Sequence, residues 1–367
     1  DHRDLHLSIR RQRQMCIRDS NYSKSRFVRV KMSEDIFIRK SGYTGHITLN
    51  RPDVLNSLTY SMILAIEKAL DEWEVDESIA LVIIDAKGDR AFCAGGDIQI
   101  LYENGFKKNF AYGQKFWADE YRLNEKIAYY KKPFVAFMQG FTMGGGVGVS
   151  CHGSHRIVGE TSMIAMPECS IGLVPDVGGS FLLAKLPGNI GTFLGVTGKR
   201  MKASDAIYCG FADYFIPETK WGNLKKNLVD TGNIDWIDKF HERLQISEIE
   251  NSFSQISEAM VDVSSKNIES RLQHPFFEKD LNALRFNSPI SVAYTISMLK
   301  MEKVRNSISD ALDAEYSFTA RSQEFGDFQE GIRAAVIDKD RTPLWKNKNL
   351  GEVSDEDLKP FFQTIHR

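Results

Sequence analysis

Three consecutive glycines at residues 144–146 and two later carboxylates, Glu168 and Asp176, are the residues of this sequence most suited to chemistry. The glycines follow an apolar stretch, 133–138, that is typical of a strand, and the small residues after them favour a helix. Glycine lets the backbone approach a ligand closely, and the first N–H groups of a helix point outward with the positive end of its dipole. The pattern predicts a site for a phosphate or for an oxyanion formed during a reaction.

A second glycine turn repeats this arrangement earlier in the chain, at residues 91–98, Ala-Phe-Cys-Ala-Gly-Gly-Asp-Ile. One N–H group from each turn would give the two donors that an oxyanion needs. Glu168 and Asp176 would then supply proton transfer or nucleophilic assistance. Taken singly, Glu168 could instead cap a helix after a proline, and Asp176 could be a turn residue.

Other chemistries lack an anchor in the sequence. The glycine patterns of dinucleotide and nucleoside-triphosphate sites are absent, and the stretch around Ser150 lacks the final glycine of a nucleophile elbow. Cys151, His152 and His155 have no fourth metal ligand nearby, so a helix cap and a turn are the favoured interpretation, and no metal is expected. Cys93 has no flanking cation to activate its thiol, which favours a packing role.

The elements that must position these residues alternate between strands and helices in the first part of the chain. We expect a hairpin at 36–50, a helix from Thr59 or Ser61 to about Val75 and a strand at 80–85. Further expected elements are a helix at 110–130, strands at 133–138, 155–158 and 163–166, and helices at 181–186 and 203–209. After about residue 217 the sequence becomes charged and helix-forming, with helices expected at 222–230, 234–244, 247–261, 290–305 and 308–322.

The composition is that of a globular protein that acts on small molecules. The chain has 367 residues, 42% hydrophobic and 26% charged, and a formal net charge of −2 that favours neither nucleic acid nor an anionic membrane as a partner. Five scattered cysteines fit free thiols in a reducing compartment: Cys16, Cys93, Cys151, Cys169 and Cys209. No apolar stretch reaches the length of a membrane span, so we expect a soluble, intracellular protein.

Residues 1–31 do not match the sequence that follows. The run at 14–19, Gln-Met-Cys-Ile-Arg-Asp, resembles translated sequencing-adapter read-through, so we expect an artefact or a disordered leader, with Met32 as the native start. The competing interpretation is an arginine-rich mitochondrial presequence, although its three aspartates are atypical of such segments. The expected location is the cytoplasm for a bacterial protein and the mitochondrial matrix for a eukaryotic one.

Taken together, the two glycine turns and residues 166–179, Met-Pro-Glu-Cys-Ser-Ile-Gly-Leu-Val-Pro-Asp-Val-Gly-Gly, resemble the crotonase (enoyl-CoA hydratase/isomerase) superfamily. The resemblance implies an α/β fold, in which a crotonase-like ββα spiral core at 32–218 carries the acyl-CoA site. A helical C-terminal region at 219–367 would pack on this core.

The resemblance also implies roles for individual residues. The N–H groups of Gly96 and Gly145 would hold the carbonyl oxygen of an acyl-CoA thioester. The CoA chain would pass Leu55, Ser57 and Ala94, whose matching positions in the family contact it through the backbone. CoA is then part of the substrate, and no separate cofactor is expected.

Within the superfamily, the hydratases carry their first catalytic carboxylate at the position of Gly148, which has no side chain here. Asp176 stands instead where the hydratases have glycine, eight residues after Glu168. This exchange resembles the subfamily that hydrolyses 3-hydroxyisobutyryl-CoA in valine breakdown, as do Glu120, which would contact the substrate, and residues 328–345.

The resemblance therefore implies a thioester hydrolase that converts 3-hydroxyisobutyryl-CoA, or a similar short 3-hydroxyacyl-CoA, to the free acid and CoA. Glu168 would attack the carbonyl to form an anhydride, or would activate a water directly. An enoyl-CoA hydratase or isomerase is the alternative enzyme, and a non-catalytic acyl-CoA-binding or scaffold protein is the alternative of another class. Assembly into a homo-oligomer is left open.

Overall fold

The computed structural model describes residues 34–367. The expectations for residues 1–31 and for Cys16 lie outside this part of the chain. Among residues 34–367, no helix is both long enough and apolar enough to cross a membrane.

Within residues 34–367, ten strands form two sheets, and the chain alternates between the sheets from the third strand to the eighth. The strands are β1 Ile36–Ser41, β2 Thr44–Leu49, β3 Leu81–Ala86, β4 Ala91–Cys93, β5 Phe134–Met138, β6 Phe141–Met143, β7 His155–Val158, β8 Met163–Ala165, β9 Met201–Lys202 and β10 Tyr214–Phe215. The larger sheet has the order β1-β2-β3-β5-β7-β10 and the smaller one the order β4-β6-β8-β9. Each of β3, β5 and β7 is followed by a short strand of the smaller sheet, which gives the repeating spiral of the first part.

Helices join these strand pairs and make up nearly all of the regular structure after β10. They are α1 Tyr60–Glu74, α2 Ile98–Phe106, α3 Phe110–Ala128, α4 Gly145–Gly148, α5 Gly179–Ala184, α6 Ile190–Thr197, α7 Ala203–Tyr208, α8 Glu218–Thr231, α9 Trp236–Phe240, α10 Glu248–Asn251, α11 Phe253–Ala259, α12 Ile268–Arg271, α13 Glu278–Phe286, α14 Pro289–Leu299, α15 Glu302–Asn306, α16 Ile308–Ser322, α17 Phe328–Ile332 and α18 Asp355–Leu358. The predicted α/β class with a helical C-terminal region is confirmed.

Local sequence signals account for several boundaries. The side chain of Thr59 accepts a hydrogen bond from the N–H group of Met62 at 3.3 Å, so Thr59 rather than Ser61 caps α1. The predicted apolar face of this helix is buried: Met62, Ile66, Ala69, Leu70 and Trp73. The hairpin, the buried strand β3 and the helix α16 also lie where the sequence predicts them.

Three predictions of longer helices are wrong. The helix predicted at 234–244 covers only Trp236–Phe240, because His241 is extended (φ −63°, ψ 136°). The helix predicted at 290–305 is two helices, because Met301 adopts an extended conformation (φ −71°, ψ 122°) between α14 and α15. This break turns α15 so that it packs on α5 and α16. The helix predicted at 247–261 is likewise divided at Ser252 into α10 and α11. Periodicity extends through both breaks, so the sequence pattern alone does not reveal them.

The larger sheet is covered on both faces, as the apolar sequence of β3 predicts. One face of its central strands packs against the helix α8 in a cluster that includes Ile83, Phe137, Trp221 and Leu224. The other face belongs to the main core, which also contains buried side chains of α14, α16 and α17. The C-terminal helices are therefore part of the same apolar core that supports the glycine turns.

Candidate active site

The first glycine turn leaves one backbone donor free. Gly95 has a φ of +118°, which favours glycine, and it follows the strand β4. Its carbonyl oxygen accepts a hydrogen bond from the N–H group of Leu58 at 2.9 Å, and Asp97 donates to the carbonyl oxygen of Leu58 at 2.8 Å. Between these two bonds, the N–H group of Gly96 points away from Leu58 and has no acceptor within residues 34–367.

The second glycine turn faces the first. Gly144 has φ 49° and ψ −124°, a conformation available to glycine, and the short helix α4 begins at Gly145. A β-carbon added to Gly145 would lie 3.4 Å from the amide nitrogen of Gly96 and 2.8 Å from Oε1 of Glu120. Gly96 and Gly145 therefore lie side by side at the edge of one cavity.

This cavity has a volume of about 230 Å³. Its lining includes both glycine turns, three acidic residues and an apolar wall: Ala94, Gly95, Gly96, Ile98, Leu101, Phe116, Trp117, Glu120, Met143, Gly144, Gly145, Pro167, Glu168, Ser170, Ile171, Leu173, Asp176, Val177 and Phe328. A largely apolar cavity with a few convergent polar groups is the usual form of a small-molecule site.

Glu168 opens the 3-10 turn Glu168–Ile171 that follows Pro167, and its residue surface is only 5% exposed. Its Oε2 atom has no hydrogen-bond partner in the described part of the chain. Burial raises the pKa of Glu168 well above its usual range, the charge of Asp176 adds to the rise, and the N–H groups of Glu168 and Gly144 oppose it. A buried carboxyl with an unpaired oxygen and a raised pKa is suited to proton transfer.

Asp176 lies in the turn before α5 and is also buried. Its Oδ2 atom accepts a hydrogen bond of 2.8 Å from the hydroxyl of Tyr121. Burial raises the pKa of Asp176 to about 7, although the hydrogen bond from Tyr121 opposes this rise. Because the carboxyl groups of Asp176 and Glu168 line one cavity and are both buried, their protonation is coupled, and ionising one disfavours ionising the other.

Glu120 projects from α3 toward the second glycine turn. The residue is 3% exposed, and its Oε1 atom has no hydrogen-bond partner among residues 34–367. Burial raises the pKa of Glu120 well above its usual range, and Asp176 contributes to the rise. An unsatisfied buried oxygen is costly, so this atom is suited to a hydroxyl group of a ligand.

The position of Gly148 has no room for a side chain. A β-carbon added there would lie 2.6 Å from Nδ2 of Asn124 and 2.8 Å from Cβ of Val177. Val177 directly follows Asp176, so the loop that carries this aspartate occupies the space beside Gly148. Asn124, which sequence reasoning did not single out, fills the rest of that space.

The residues predicted to contact CoA lie beside the first glycine turn. The N–H group of Ala94 donates to the carbonyl oxygen of Leu55 at 3.0 Å, and Arg51 donates to the carbonyl oxygen of Ser57 at 2.7 Å. Ala94 lines the cavity, whereas Leu55 and Ser57 lie outside its lining. Leu55 has a φ of +54°, so the backbone bends sharply at this point.

The apolar wall was not predicted as part of the site. Phe116 and Trp117 come from α3, and Phe328 begins α17, more than two hundred residues later. The rings of Trp117 and Phe328 pack with centroids 5.6 Å apart. The α3 residues follow a helical period that signals burial, but no local signal in the sequence links Phe328 to the cavity.

The cavity lining contains none of the described cysteines or histidines. Four cysteines, Cys93, Cys151, Cys169 and Cys209, are free and buried, and burial raises the pKa of Cys93 to about 12. Nε2 of His152 lies 2.8 Å from the carbonyl oxygen of Val177. In the described range, no three His, Cys, Asp or Glu side chains come together as a metal site.

Comparisons with known proteins reveal close similarity along most of the chain. A family model described as enoyl-CoA hydratase/isomerase matches residues 44–362. The chain is 38% identical to mitochondrial 3-hydroxyisobutyryl-CoA hydrolase of Gallus gallus, over 90% of this chain and 89% of that protein. It is 37% identical to the protein of the same name from Homo sapiens, over 91% of this chain and 89% of that protein.

Solved structures are also similar. The chain is 46% identical to an enoyl-CoA hydratase from Rhodobacter sphaeroides 2.4.1, with a TM-score of 0.85 over 90% of this chain and 98% of that one. It is 34% identical to a carnitinyl-CoA dehydratase from Mycobacterium thermoresistibile, with a TM-score of 0.86 over 90% of this chain and 97% of that one. These matches include the helical C-terminal region as well as the two sheets.

Proposed function

The chain belongs to the enoyl-CoA hydratase/isomerase family, and we propose that it hydrolyses the thioester of 3-hydroxyisobutyryl-CoA, or of a similar short 3-hydroxyacyl-CoA. The products are the free hydroxy acid and CoA, and this reaction belongs to valine breakdown. The 3-hydroxyisobutyryl-CoA hydrolases among the relatives support this choice of substrate.

The observation that carries the proposal is the exchange of carboxylates around Gly148. Val177 and Asn124 occupy the space that a side chain at position 148 would need. The second carboxylate of the site is instead that of Asp176, which lies in the same loop as Val177. The hydratases of this family are expected to carry a catalytic carboxylate at the position of Gly148. Its absence here, together with the presence of Asp176, supports hydrolysis over hydration.

In the proposed mechanism, the N–H groups of Gly96 and Gly145 hold the thioester carbonyl oxygen. Neither group donates to another atom within residues 34–367, so both can donate to the oxygen as it becomes an oxyanion. Losing one such donor typically costs about 2.7–4 kcal/mol of transition-state stabilisation. Glu168 lies beside these two N–H groups. Its Oε1 atom is 3.2 Å from the position that a β-carbon on Gly144 would occupy, and Gly144 directly precedes Gly145.

Two routes fit this arrangement. In the first, the Glu168 carboxylate attacks the carbonyl carbon, the C–S bond breaks, and water then hydrolyses the resulting anhydride. In the second, Glu168 takes a proton from a water, whose oxygen attacks the carbonyl directly. In both routes the departing CoA thiolate takes up a proton, which Asp176 with its raised pKa is suited to supply.

Glu120 would orient the substrate. Its unpartnered Oε1 atom lies near the second glycine turn, where it can accept a hydrogen bond from the 3-hydroxyl group. Phe116, Trp117 and Phe328 would enclose the acyl chain and favour short ones. Leu55, Ser57 and Ala94 would contact CoA through their backbones beside the first turn.

Enoyl-CoA hydration is the second candidate function, because the similar structure from Rhodobacter sphaeroides carries that name at 46% identity. A non-catalytic acyl-CoA-binding role is a third. The three acidic residues that line the cavity argue against a passive scaffold. No salt bridge within residues 34–367 neutralises them, so their burial is costly, and such a cost is typical of groups that serve a reaction.

A panel of acyl-CoA substrates separates these functions. Purified protein is mixed with 3-hydroxyisobutyryl-CoA, 3-hydroxypropionyl-CoA, acetyl-CoA and crotonyl-CoA, and free thiol and loss of the enoyl double bond are followed in parallel. We expect thiol release with the two hydroxyacyl substrates. Hydration of crotonyl-CoA without thiol release would support the hydratase, and binding without either reaction would support the scaffold.

Single turnover in ¹⁸O-labelled water separates the two routes of hydrolysis, with enzyme in excess over substrate. In the anhydride route, water can attack the carbonyl carbon of Glu168, and mass spectrometry of its peptide would then detect ¹⁸O. In the direct route all of the label is in the released acid.

We also propose that the chain acts in the mitochondrial matrix if it is eukaryotic, since the names of the curated relatives state that those proteins are mitochondrial, and in the cytoplasm if it is bacterial. An acyl-CoA is the proposed substrate, and assembly into a homo-oligomer stays a prediction. Light scattering of the purified protein measures it.

A further inference from the structure

One face of helix α16 supports the loop that carries Asp176. Glu315 and Thr319 are four residues apart, so they lie on the same side of this helix. Both are fully buried, with 0% exposure. Neither residue lines the cavity. Thr319 is hydrogen-bonded to Tyr121, which is itself hydrogen-bonded to Asp176, and Glu315 is hydrogen-bonded to the N–H group of Gly178, two residues after Asp176.

Thr319 reaches Asp176 through Tyr121. The Tyr121 oxygen lies 2.8 Å from Oδ2 of Asp176 and 3.2 Å from Oγ1 of Thr319. A phenol has one proton, and the aspartate is the better acceptor, so Tyr121 donates to Asp176. The Thr319 hydroxyl then donates to Tyr121, which completes a chain of two hydrogen bonds ending on the carboxylate.

Glu315 holds the other end of the same loop. Its Oε2 atom accepts from the N–H group of Gly178 at 2.8 Å, and its Oε1 atom accepts from the N–H group of Ser180 at 3.0 Å. The Ser180 hydroxyl also donates to Oε1. One carboxyl group thereby satisfies three donors at the start of α5, two residues beyond Asp176.

The loop between these two attachments is strained. Val177 has a φ of +53°, which is unfavourable for a β-branched residue and persists only where the surroundings enforce it. Burial lowers the pKa of His152 to about 4, so its ring is neutral and Nε2–H donates to the Val177 carbonyl oxygen. The backbone is thus held on both sides of the strained residue.

We propose that Thr319, Tyr121 and Glu315 are positioning residues, which hold the Asp176 carboxylate at the thioester and keep Val177 in its strained conformation. This inference rests on the proposed role of Asp176 in hydrolysis. It gives α16 a part in catalysis although this helix contributes no group that would touch the substrate.

Thr319 offers a test that separates positioning from packing. Thr319→Val keeps the size and both branches but removes the hydroxyl, whereas Thr319→Ser keeps the hydroxyl and removes a methyl group. If the hydrogen bond matters, Thr319→Ser retains activity within about threefold and Thr319→Val lowers kcat by about 10- to 100-fold. If Thr319 only packs, Thr319→Val is active and Thr319→Ser is impaired, which would overturn the proposal.

Glu315→Gln tests the second attachment. A glutamine amide can accept on one side only, so its NH₂ group would face the N–H group of Gly178 or Ser180. We expect kcat to fall by about 10- to 100-fold with KM within about threefold of wild type. Asp313→Asn is the matched control, because this half-exposed carboxylate of the same helix binds Arg367 away from the cavity. Equal activity of Glu315→Gln and Asp313→Asn would contradict the proposal.

Every variant is first titrated with a non-hydrolysable thioether analogue of the substrate. Binding at one analogue per chain with unchanged Kd excludes a loss of folded protein as the cause of a lower kcat. If wild type hydrates crotonyl-CoA instead of releasing thiol, the proposed function fails, and the Thr319 pair is then compared in hydration. The same order of activities there would support the positioning role on its own, and the reverse order, or no turnover of any acyl-CoA, would overturn it.

Discussion

Residues 91–180 supply the groups that would touch the thioester, whereas the helices after residue 219 supply groups that hold or enclose them. The first region offers the N–H groups of Gly96 and Gly145 and the carboxyls of Glu168 and Asp176. The second offers Phe328 to the cavity and a buried face of α16 to the Asp176 loop. Both regions share one apolar core.

This difference separates two kinds of evidence for function. Reacting groups come from short strand-and-turn segments whose residues are neighbours in sequence, so their spacing alone indicates their chemistry. Supporting groups reach the site through long-range packing, and they are recognised only in three dimensions. Changes in the first region should abolish the reaction, and changes in the second should reduce it or alter its specificity.

The largest effect is expected for Glu168→Gln. The amide has nearly the same shape but can neither attack the thioester nor accept a proton from water, so thiol release should fall on the order of 1,000-fold or more. Affinity for the thioether analogue should stay near that of wild type in calorimetry. Glu72→Gln, on the exposed surface of α1, serves as the matched control.

A smaller but substantial loss is expected for Gly148→Ala. The new methyl group would overlap Asn124 and Val177, so we expect the free energy of unfolding to drop by about 1–3 kcal/mol in urea titrations. Displacement of Val177 would also lower kcat. Adding Asn124→Ala should restore part of the stability. Gly222→Ala, in an open position on α8, should instead gain about 0.5–1 kcal/mol.

The pH dependence of kcat/KM should report on Asp176, the residue that the groups of α16 support. Burial raises its pKa to about 7, and Glu120, Glu168 and Glu315 are the other acidic groups close to it. Because the proposed mechanism uses the protonated form of Asp176 to supply a proton to the thiolate, kcat/KM should fall as the pH rises above about 7.

Tyr121→Phe sharpens this test. The lost hydrogen bond favours the ionised form of Asp176, so its removal raises the pKa and should move the basic limb of the profile upward by about one pH unit. Tyr129→Phe, at an exposed position after α3, should leave the profile in place. A downward shift in Tyr121→Phe would contradict the assigned hydrogen bond.

The smallest effect is expected for Phe328→Leu, which replaces the aromatic side chain that the C-terminal region contributes to the cavity wall by a smaller one. The preference for 3-hydroxyisobutyryl-CoA over a longer 3-hydroxyacyl-CoA should narrow by about tenfold or less, measured as a ratio of kcat/KM values. Phe325→Leu, at a partly exposed position nearby in sequence, is the control. An unchanged ratio in Phe328→Leu would show that this wall does not set acyl length.

Much of the fold before residue 180 could be predicted from sequence. The helix α1 and its cap, the hairpin and the strands that feed both glycine turns follow from local periodicity and turn chemistry. The family resemblance, carried by the two turns and the segment around Glu168, is confirmed by the match over residues 44–362. Such segments are predictable because their function requires particular residues at fixed spacing.

The supporting residues could not be predicted in the same way. Glu315 and Thr319 look like ordinary positions of an amphipathic helix until packing brings them against α5 and Tyr121. Asn124 is recognised as part of the site only in the structure, where its side chain occupies the space beside Gly148. The break at Met301 that orients α15 also depends on tertiary packing rather than on periodicity.

Asp176→Asn tests the central claim most directly, since this aspartate is proposed to replace the carboxylate that Gly148 lacks. The substitution keeps the shape of the side chain and removes its charge and proton. We predict that thiol release from 3-hydroxyisobutyryl-CoA falls by about 100- to 1,000-fold while the thioether analogue still binds at one per chain. Thiol release at the wild-type rate would contradict the account.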